Sequence, residues 1–320
     1  MKMLTSGLAA AIAITFVPSL ARASCGSAFC TVNTNWSAQS ALVEAGSSFD
    51  LRYEYIDQAQ LFSGTDKIAA GQFARPDDEI STVNRNLVAT YSRNFGNGWG
   101  LTLSAPVTQR DHVHLHNRDG EQEREDWKFT RLGDMRAVGR YQFAAVGDPL
   151  NPSTSGVTLG LKLPTGHTSV SNANGDVAER SLQPGTGTTD LIAGYFYHQK
   201  LSASNASWFG QAQFQHALNS HSGFKPGAQL NMDVGYRRGF GDRLGLLMQL
   251  NLVHKRADRG SEAEPLDSGS RFVFASPGLS YAVSDNLQVY GFFQFPLYRR
   301  VTGVQLSADR AFVVGLSGRL

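Results

Sequence analysis

The stretch Ala228-Gln229-Leu230-Asn231-Met232-Asp233-Val234-Gly235-Tyr236 alternates apolar and polar residues at every step. A period of two is the mark of a β-strand with one face in apolar and one in polar surroundings. Across the short connection 238–243, the row Leu244, Leu246, Met248, Leu250 and Leu252 repeats the pattern, with Gln249 and Asn251 between. Earlier in the chain Phe49, Leu51, Tyr53 and Tyr55 alternate with Asp50, Arg52 and Glu54. Trp99, Leu101, Leu103, Ala105 and Val107 form a further row, as do Val157, Leu159, Leu161 and Leu163.

Read this way, the chain has twelve strands, near 49–56, 81–94, 99–111, 131–143, 157–163, 190–198, 208–216, 227–237, 244–254, 271–283, 287–298 and 311–320. The connections alternate in length. Long ones are expected at 57–80, 112–130, 164–189, 217–226, 255–270 and 299–310. Short ones lie between them, and Gly96-Asn97-Gly98 and Ser284-Asp285-Asn286 have tight-turn chemistry. Alternating long and short connections with an even strand count describe an all-β fold, a transmembrane antiparallel up-and-down β-barrel over residues 49–320. A soluble sandwich would place charges on its outer row. Here the polar row is rich in Gly, Gln and Asn, and the strands approach the ~9–11 residues of a tilted membrane span.

Composition agrees. The 320 residues are 41% hydrophobic, 10% aromatic and 18% charged, with 33 glycines and 2 cysteines. The aromatics exclude a disordered chain, the cysteine count excludes a disulfide scaffold, and the small net charge of +2 excludes a nucleic-acid binder. The mean hydropathy of −0.25 averages a lipid-facing row with a polar inner row.

The N-terminus reads as an export signal. Lys2 precedes the apolar run Leu8 to Leu20, and Ala21-Arg22-Ala23 fits the small-x-small cleavage rule. Residues 1–23 are thus expected to be removed. That takes Lys2 and Arg22 and leaves 27 basic against 27 acidic residues. Residues 24–48 lack strong alternation and read as a periplasmic or plug segment.

If the apolar row faces lipid, the alternate residues line the lumen. On the first strand these are Asp50, Arg52 and Glu54, followed by Asp134, Arg136, Arg140, Lys162 and Asp190. Later strands contribute Gln213, Gln229, Asn231, Asp233, Arg237, Gln249, Asn251, Gln288 and Gln294. Acids and bases are interspersed, which argues against a single-sign selectivity ring. The row suits either a rigid paired network or a polar channel.

Two further motifs carry chemistry. Cys25 and Cys30 are expected to form a local disulfide in an oxidising compartment, metal binding being the alternative. His112, His114 and His116 share one strand face, and imidazoles so spaced are candidate ligands for zinc, copper or nickel. No Gly-x-Ser-x-Gly, His-Glu-x-x-His or phosphate-loop motif occurs, so no enzyme and no cofactor is expected.

Three stretches resemble a known family. They are Gly160-Leu161-Lys162-Leu163-Pro164-Thr165-Gly166, then Leu182-Gln183-Pro184-Gly185-Thr186-Gly187 running into Thr189-Asp190-Leu191, and Phe224-Lys225-Pro226-Gly227 with Asp233-Val234-Gly235-Tyr236. Together they resemble the outer-membrane barrel family named for the MetA pathway of phenol degradation, over roughly residues 83–320. The resemblance implies a transporter-like barrel for small hydrophobic or aromatic molecules and brings no catalytic residues.

The expected function is a channel for small solutes, hydrophobic or aromatic ones included, in the bacterial outer membrane. Its partners would be outer-membrane lipid, the barrel assembly machinery and the solute, with no nucleic acid. A non-conducting barrel that scaffolds a periplasmic partner is the alternative, and metal handling by the histidines a weaker one.

Overall fold

A computed structural model describes residues 24–25, 32–34, 45–73, 77–118 and 121–320. Twelve strands close into an antiparallel barrel. They are β1 (Gly46–Ser63), β2 (Asp77–Asn94), β3 (Trp99–Arg118), β4 (Glu121–Leu132 and Arg136–Gln142), β5 (Ser153–Lys162) and β6 (Asp190–Leu201). They continue as β7 (Ala206–Ala217), β8 (Gln229–Phe240), β9 (Leu244–Lys255), β10 (Ser270–Ser284), β11 (Leu287–Val301) and β12 (Val304–Arg319). Both segments of β4 pair with β3, and β12 returns to pair with β1 from Val304–Ser63 to Arg319–Ser48. The pairing of the last strand with the first closes the ring, as an apolar membrane interior demands of a spanning sheet.

The outer face carries the expected apolar row. Leu101, Leu103, Leu159, Val234, Met248, Leu250 and Val314 are exposed. Near the short-turn end, aromatic rings gather on the outside. Trp99 and Tyr141 lie 4.8 Å apart between centroids, as do Trp208 and Tyr236. Such rings suit the membrane–water boundary, where an apolar body and a polar tip are both solvated.

Three of the expected long loops are strand instead. β1 runs on to Ser63, β3 and β4 continue as a tall hairpin through 112–130, and β11 and β12 meet at Thr302-Gly303. Gly303 takes φ +65° there, a conformation that lets two strands join in two residues. The reason the sequence hides these extensions is a reversal of polarity. Beyond the lipid zone the outer face meets water, so charged Lys128 points outward opposite Asp111 while Trp127 and Phe129 are buried. Leu61 and Leu306 are buried in the same way.

The ladder between β11 and β12 runs only from Leu287–Gly318 to Gln294–Ala311. Above it, the upper edge of β12 takes a different partner. Ser24 and Cys25 pair in parallel with Gln305 and Leu306. Cys30, and with it the expected disulfide, lies outside the described residues. Among the described residues no helix is long and apolar enough to cross a membrane.

Candidate functional site: the barrel interior

The inward row is held in networks. Arg52 Nε donates to Glu54 at 2.8 Å, and Asn86 Nδ2 donates to the same carboxylate at 3.1 Å. Higher on this wall Asn84 Nδ2 donates to Gln58 at 2.8 Å, and Arg110 Nε donates to Asn84 at 2.7 Å. The Tyr290 hydroxyl donates to Asp50 at 2.7 Å. Opposite, Asn251 Nδ2 donates to Asp233 at 2.8 Å, while Asn251 Oδ1 accepts the Ser276 hydroxyl at 2.7 Å, whose oxygen in turn accepts Gln294 Nε2 at 3.2 Å. Each bond satisfies a group that would otherwise be costly to bury.

Several other inward residues pair locally. Gln215 Nε2 donates to Asp190 at 2.6 Å and its carbonyl accepts Arg136 at 3.2 Å. Arg140 donates to Gln142 at 2.7 Å, with its guanidinium 4.6 Å over the Phe196 ring. Gln229 donates to Asn231 at 2.8 Å, and Gln288 to Ser317 at 2.9 Å. Gln213 and Arg237, half-buried, sit opposite Asn231 and Ser207 in the β7–β8 ladder.

The interior is obstructed at two levels. At the first, residues Val32, Asn33 and Thr34 form a strap across the lumen. The Asn33 side-chain amide donates to Gln211 on β7 at 2.8 Å and to Asp233 on β8 at 3.2 Å. Its backbone exchanges two 2.9 Å bonds with the Gln249 amide on β9. The next residue, Thr34, accepts Arg52 of β1 at 2.7 Å. In a ring of twelve, β1 stands opposite β7, so adjacent strap residues are bound to facing walls.

At the second level the loop 163–189 folds into the mouth. Its two ends meet at Asp134, in the break between the two parts of β4. That carboxylate accepts Lys162 Nζ at 2.6 Å, Gly166 N at 3.0 Å, and both the backbone N and hydroxyl of Thr186 at 3.0 Å. Asp190 lies 3.4 Å from the same ammonium. A Cβ on Gly185 would stand 2.7 Å from both Gly166 Cα and the Asp134 carboxylate, so glycine alone permits this closure. Deeper in, Leu182 is fully buried and its carbonyl accepts Arg110. Arg180 donates to Thr168 O at 2.7 Å and stacks 5.2 Å over Phe224, where burial lowers its pKa.

Two of the three stretches that carried the family resemblance thus converge. Lys162, Gly166, Gly185, Thr186 and Asp190 surround one carboxylate, which anchors the loop.

Sequence reasoning missed the apolar part of this interior. The inner row is not polar throughout. On the β9–β12 wall Leu247, Tyr290, Phe292 and Val313 form a buried apolar cluster, and Val32 of the strap packs into it. Nearer the mouth Val253, Phe272, Phe274 and Val301 form a second one with Phe62. Signals exist in Phe272-Val273-Phe274 and Tyr290-Gly291-Phe292-Phe293, where both rows of a strand are apolar.

One further structure bears on this interior. The barrel is similar to that of an outer membrane channel from Pseudomonas putida F1. The match covers 90% of this chain and 100% of that one, with a TM-score of 0.66 at 9% identity. The NanC porin matches over 85% of this chain and 100% of its own, with a TM-score of 0.45 at 10% identity. At such identities the likeness shows the fold. No family model and no curated protein matches the chain.

The histidine run divides. His112 and His114 are buried beside Glu79 in the tall hairpin, whereas His116 Nδ1 lies 2.6 Å from Asp77. His112 sits above the lipid zone, where burial, together with His114 and Arg110, lowers its pKa well below the usual value. Its ring is therefore neutral at pH 7.

Proposed function

We propose that this protein is a channel of the bacterial outer membrane for small hydrophobic or aromatic solutes, exported by a cleaved signal peptide and gated by the strap at Val32–Thr34. The observation that carries the reading is the apolar stripe inside an otherwise polar lumen. A rigid filled barrel needs no such stripe, since paired polar groups already satisfy its interior. A solute with an aromatic face does need one, because burying apolar area against the stripe offsets its loss of freedom.

The strap supports the gate. It occupies the lower cluster with Val32, as an apolar solute would, and is bound by side chains of the wall instead of by a strand ladder. Displacing it costs a few hydrogen bonds, each worth about 0.5–1.5 kcal/mol net, and no strand pairing. The motif likeness to the phenol-degradation barrels supports the same solute class, and the fold shared with the Pseudomonas channel supports the same location.

The obstruction at two levels favours one other reading, a non-conducting scaffold. Uptake separates the two. The full chain is reconstituted into liposomes, and entry of a small nitroaromatic is followed by absorbance against protein-free vesicles. Faster entry supports the channel. Equal entry, with the barrel folded and inserted, supports the scaffold.

A further inference from the structure

Above the lipid zone, three metal-ligating side chains meet between β2 and β3. His112 and His114 stand two apart on one face of β3, and Glu79 is the ladder partner of His114 on β2. The ligand atoms that the three residues offer lie within 4.8 Å of one another, and all three residues are buried.

Glu79 Oε2 stands 3.4 Å from His112 Nε2. That is long for a direct N–H···O bond. It matches the ~3.3 Å between neighbouring ligand atoms of a tetrahedral site with bonds of ~2.0–2.1 Å. Outer groups hold the rings in place, as second-shell partners of metal-bound histidines do. Thr82 Oγ1 is 2.8 Å from His112 Nδ1, and Glu125 Oε2 is 2.9 Å from His114 Nε2. With Nε2 of His114 engaged, its buried Nδ1 meets no hydrogen-bond partner among the described residues.

The geometry points to a divalent metal site of the zinc class, with Glu79, His112 and His114 as protein ligands and a fourth position for water. Two imidazoles and a carboxylate are a zinc-type donor set. A metal here would pin β2 to β3 where no lipid supports them. It would also bear on the mouth, because Trp127 packs against both imidazoles at 4.7 and 5.7 Å and its Nε1 donates to Asp176 O of the inserted loop at 2.9 Å. His116, paired with Asp77, stands outside the set.

The inference does not rest on the transport reading, and its test needs no transport. Full-length protein in detergent is dialysed against Zn²⁺, and metal per chain is measured for wild type, Glu79→Gln and His116→Ala. Co²⁺ added in parallel reports the geometry through its visible absorption. We expect one zinc per wild-type chain and tetrahedral Co²⁺ bands. Glu79→Gln should bind at least ~10-fold more weakly, and His116→Ala within ~2-fold of wild type. Folding is checked by circular dichroism, and should Glu79→Gln not fold, His114→Gln replaces it with the same expected loss. Wild type without stoichiometric zinc, equal binding by the ligand variant, or an equal loss in His116→Ala would each overturn the site.

Discussion

The Lys162 ammonium and the Asp134 carboxylate lie 2.6 Å apart in a setting where both side chains are buried. One belongs to the end of β5 and the other to the break in β4, and the inserted loop begins and ends on them. A buried pair contributes little net stability against an apolar equivalent, yet breaking it is costly. Its value here is positional, since it fixes where the loop can go.

Asp134→Asn should therefore loosen the loop without dismantling the barrel. Asp190, 3.4 Å from Lys162, still compensates the ammonium. The loss should thus fall at or below the ~3–5 kcal/mol of a fully broken buried pair, near ~2–3 kcal/mol. Thermal unfolding in detergent gives the stability, and limited proteolysis near Gly175 should speed up.

Gly185→Ala tests the same closure sterically. The new methyl would meet Gly166 Cα and the Asp134 carboxylate at 2.7 Å, and a backbone atom cannot swing aside. A cost of ~1–3 kcal/mol is expected, as for overpacking in a tight interior. Gly210→Ala is the control, because its Cβ would find only an ordinary contact at 3.8 Å. The two variants should differ clearly in thermal midpoint.

Asn33→Ala removes two side-chain bonds, one of them to the Asp233 carboxylate, and leaves the strap backbone intact. A loss of ~2 kcal/mol in strap binding corresponds to roughly a 30-fold shift toward the released state. Single-channel recording should show a higher open fraction than in wild type, with the conductance of each opening unchanged.

Phe292→Asn places an amide in the lower apolar cluster. Nitroaromatic uptake should fall several-fold while conductance of small ions persists, because the stripe and not the bore is altered. Parallel loss of both would point to a collapsed barrel, which circular dichroism would reveal.

How much of this was legible in the sequence follows from where the surroundings change. In the lipid zone, rows such as Leu244 to Leu252 and Ala228 to Tyr236 alternate cleanly, so the barrel and its strand number could be read directly. Past that zone the outward side turns polar, and Trp127 and Phe129 became buried residues in what reads as a charged loop. The inner apolar stripe was hidden because Phe272-Val273-Phe274 has no alternation to read. His112 and His114 were visible as a pair, but Glu79 lies 33 positions before His112 and reaches it only through the β2–β3 ladder. Nothing local in Val32-Asn33-Thr34 announces that it bridges two walls, since its partners come from β1, β7, β8 and β9.

The central claim is that the strap at Val32–Thr34, and not the inserted loop, is what closes the barrel to passage. The most direct measurement is single-channel conductance of the full chain beside a variant lacking residues 26–44, each purified, shown to be folded and placed in a planar bilayer. Wild type should stay mostly closed with brief openings, and the shortened chain should conduct steadily at the same or a larger level. A shortened chain as silent as wild type, with the barrel demonstrably inserted, would contradict the account.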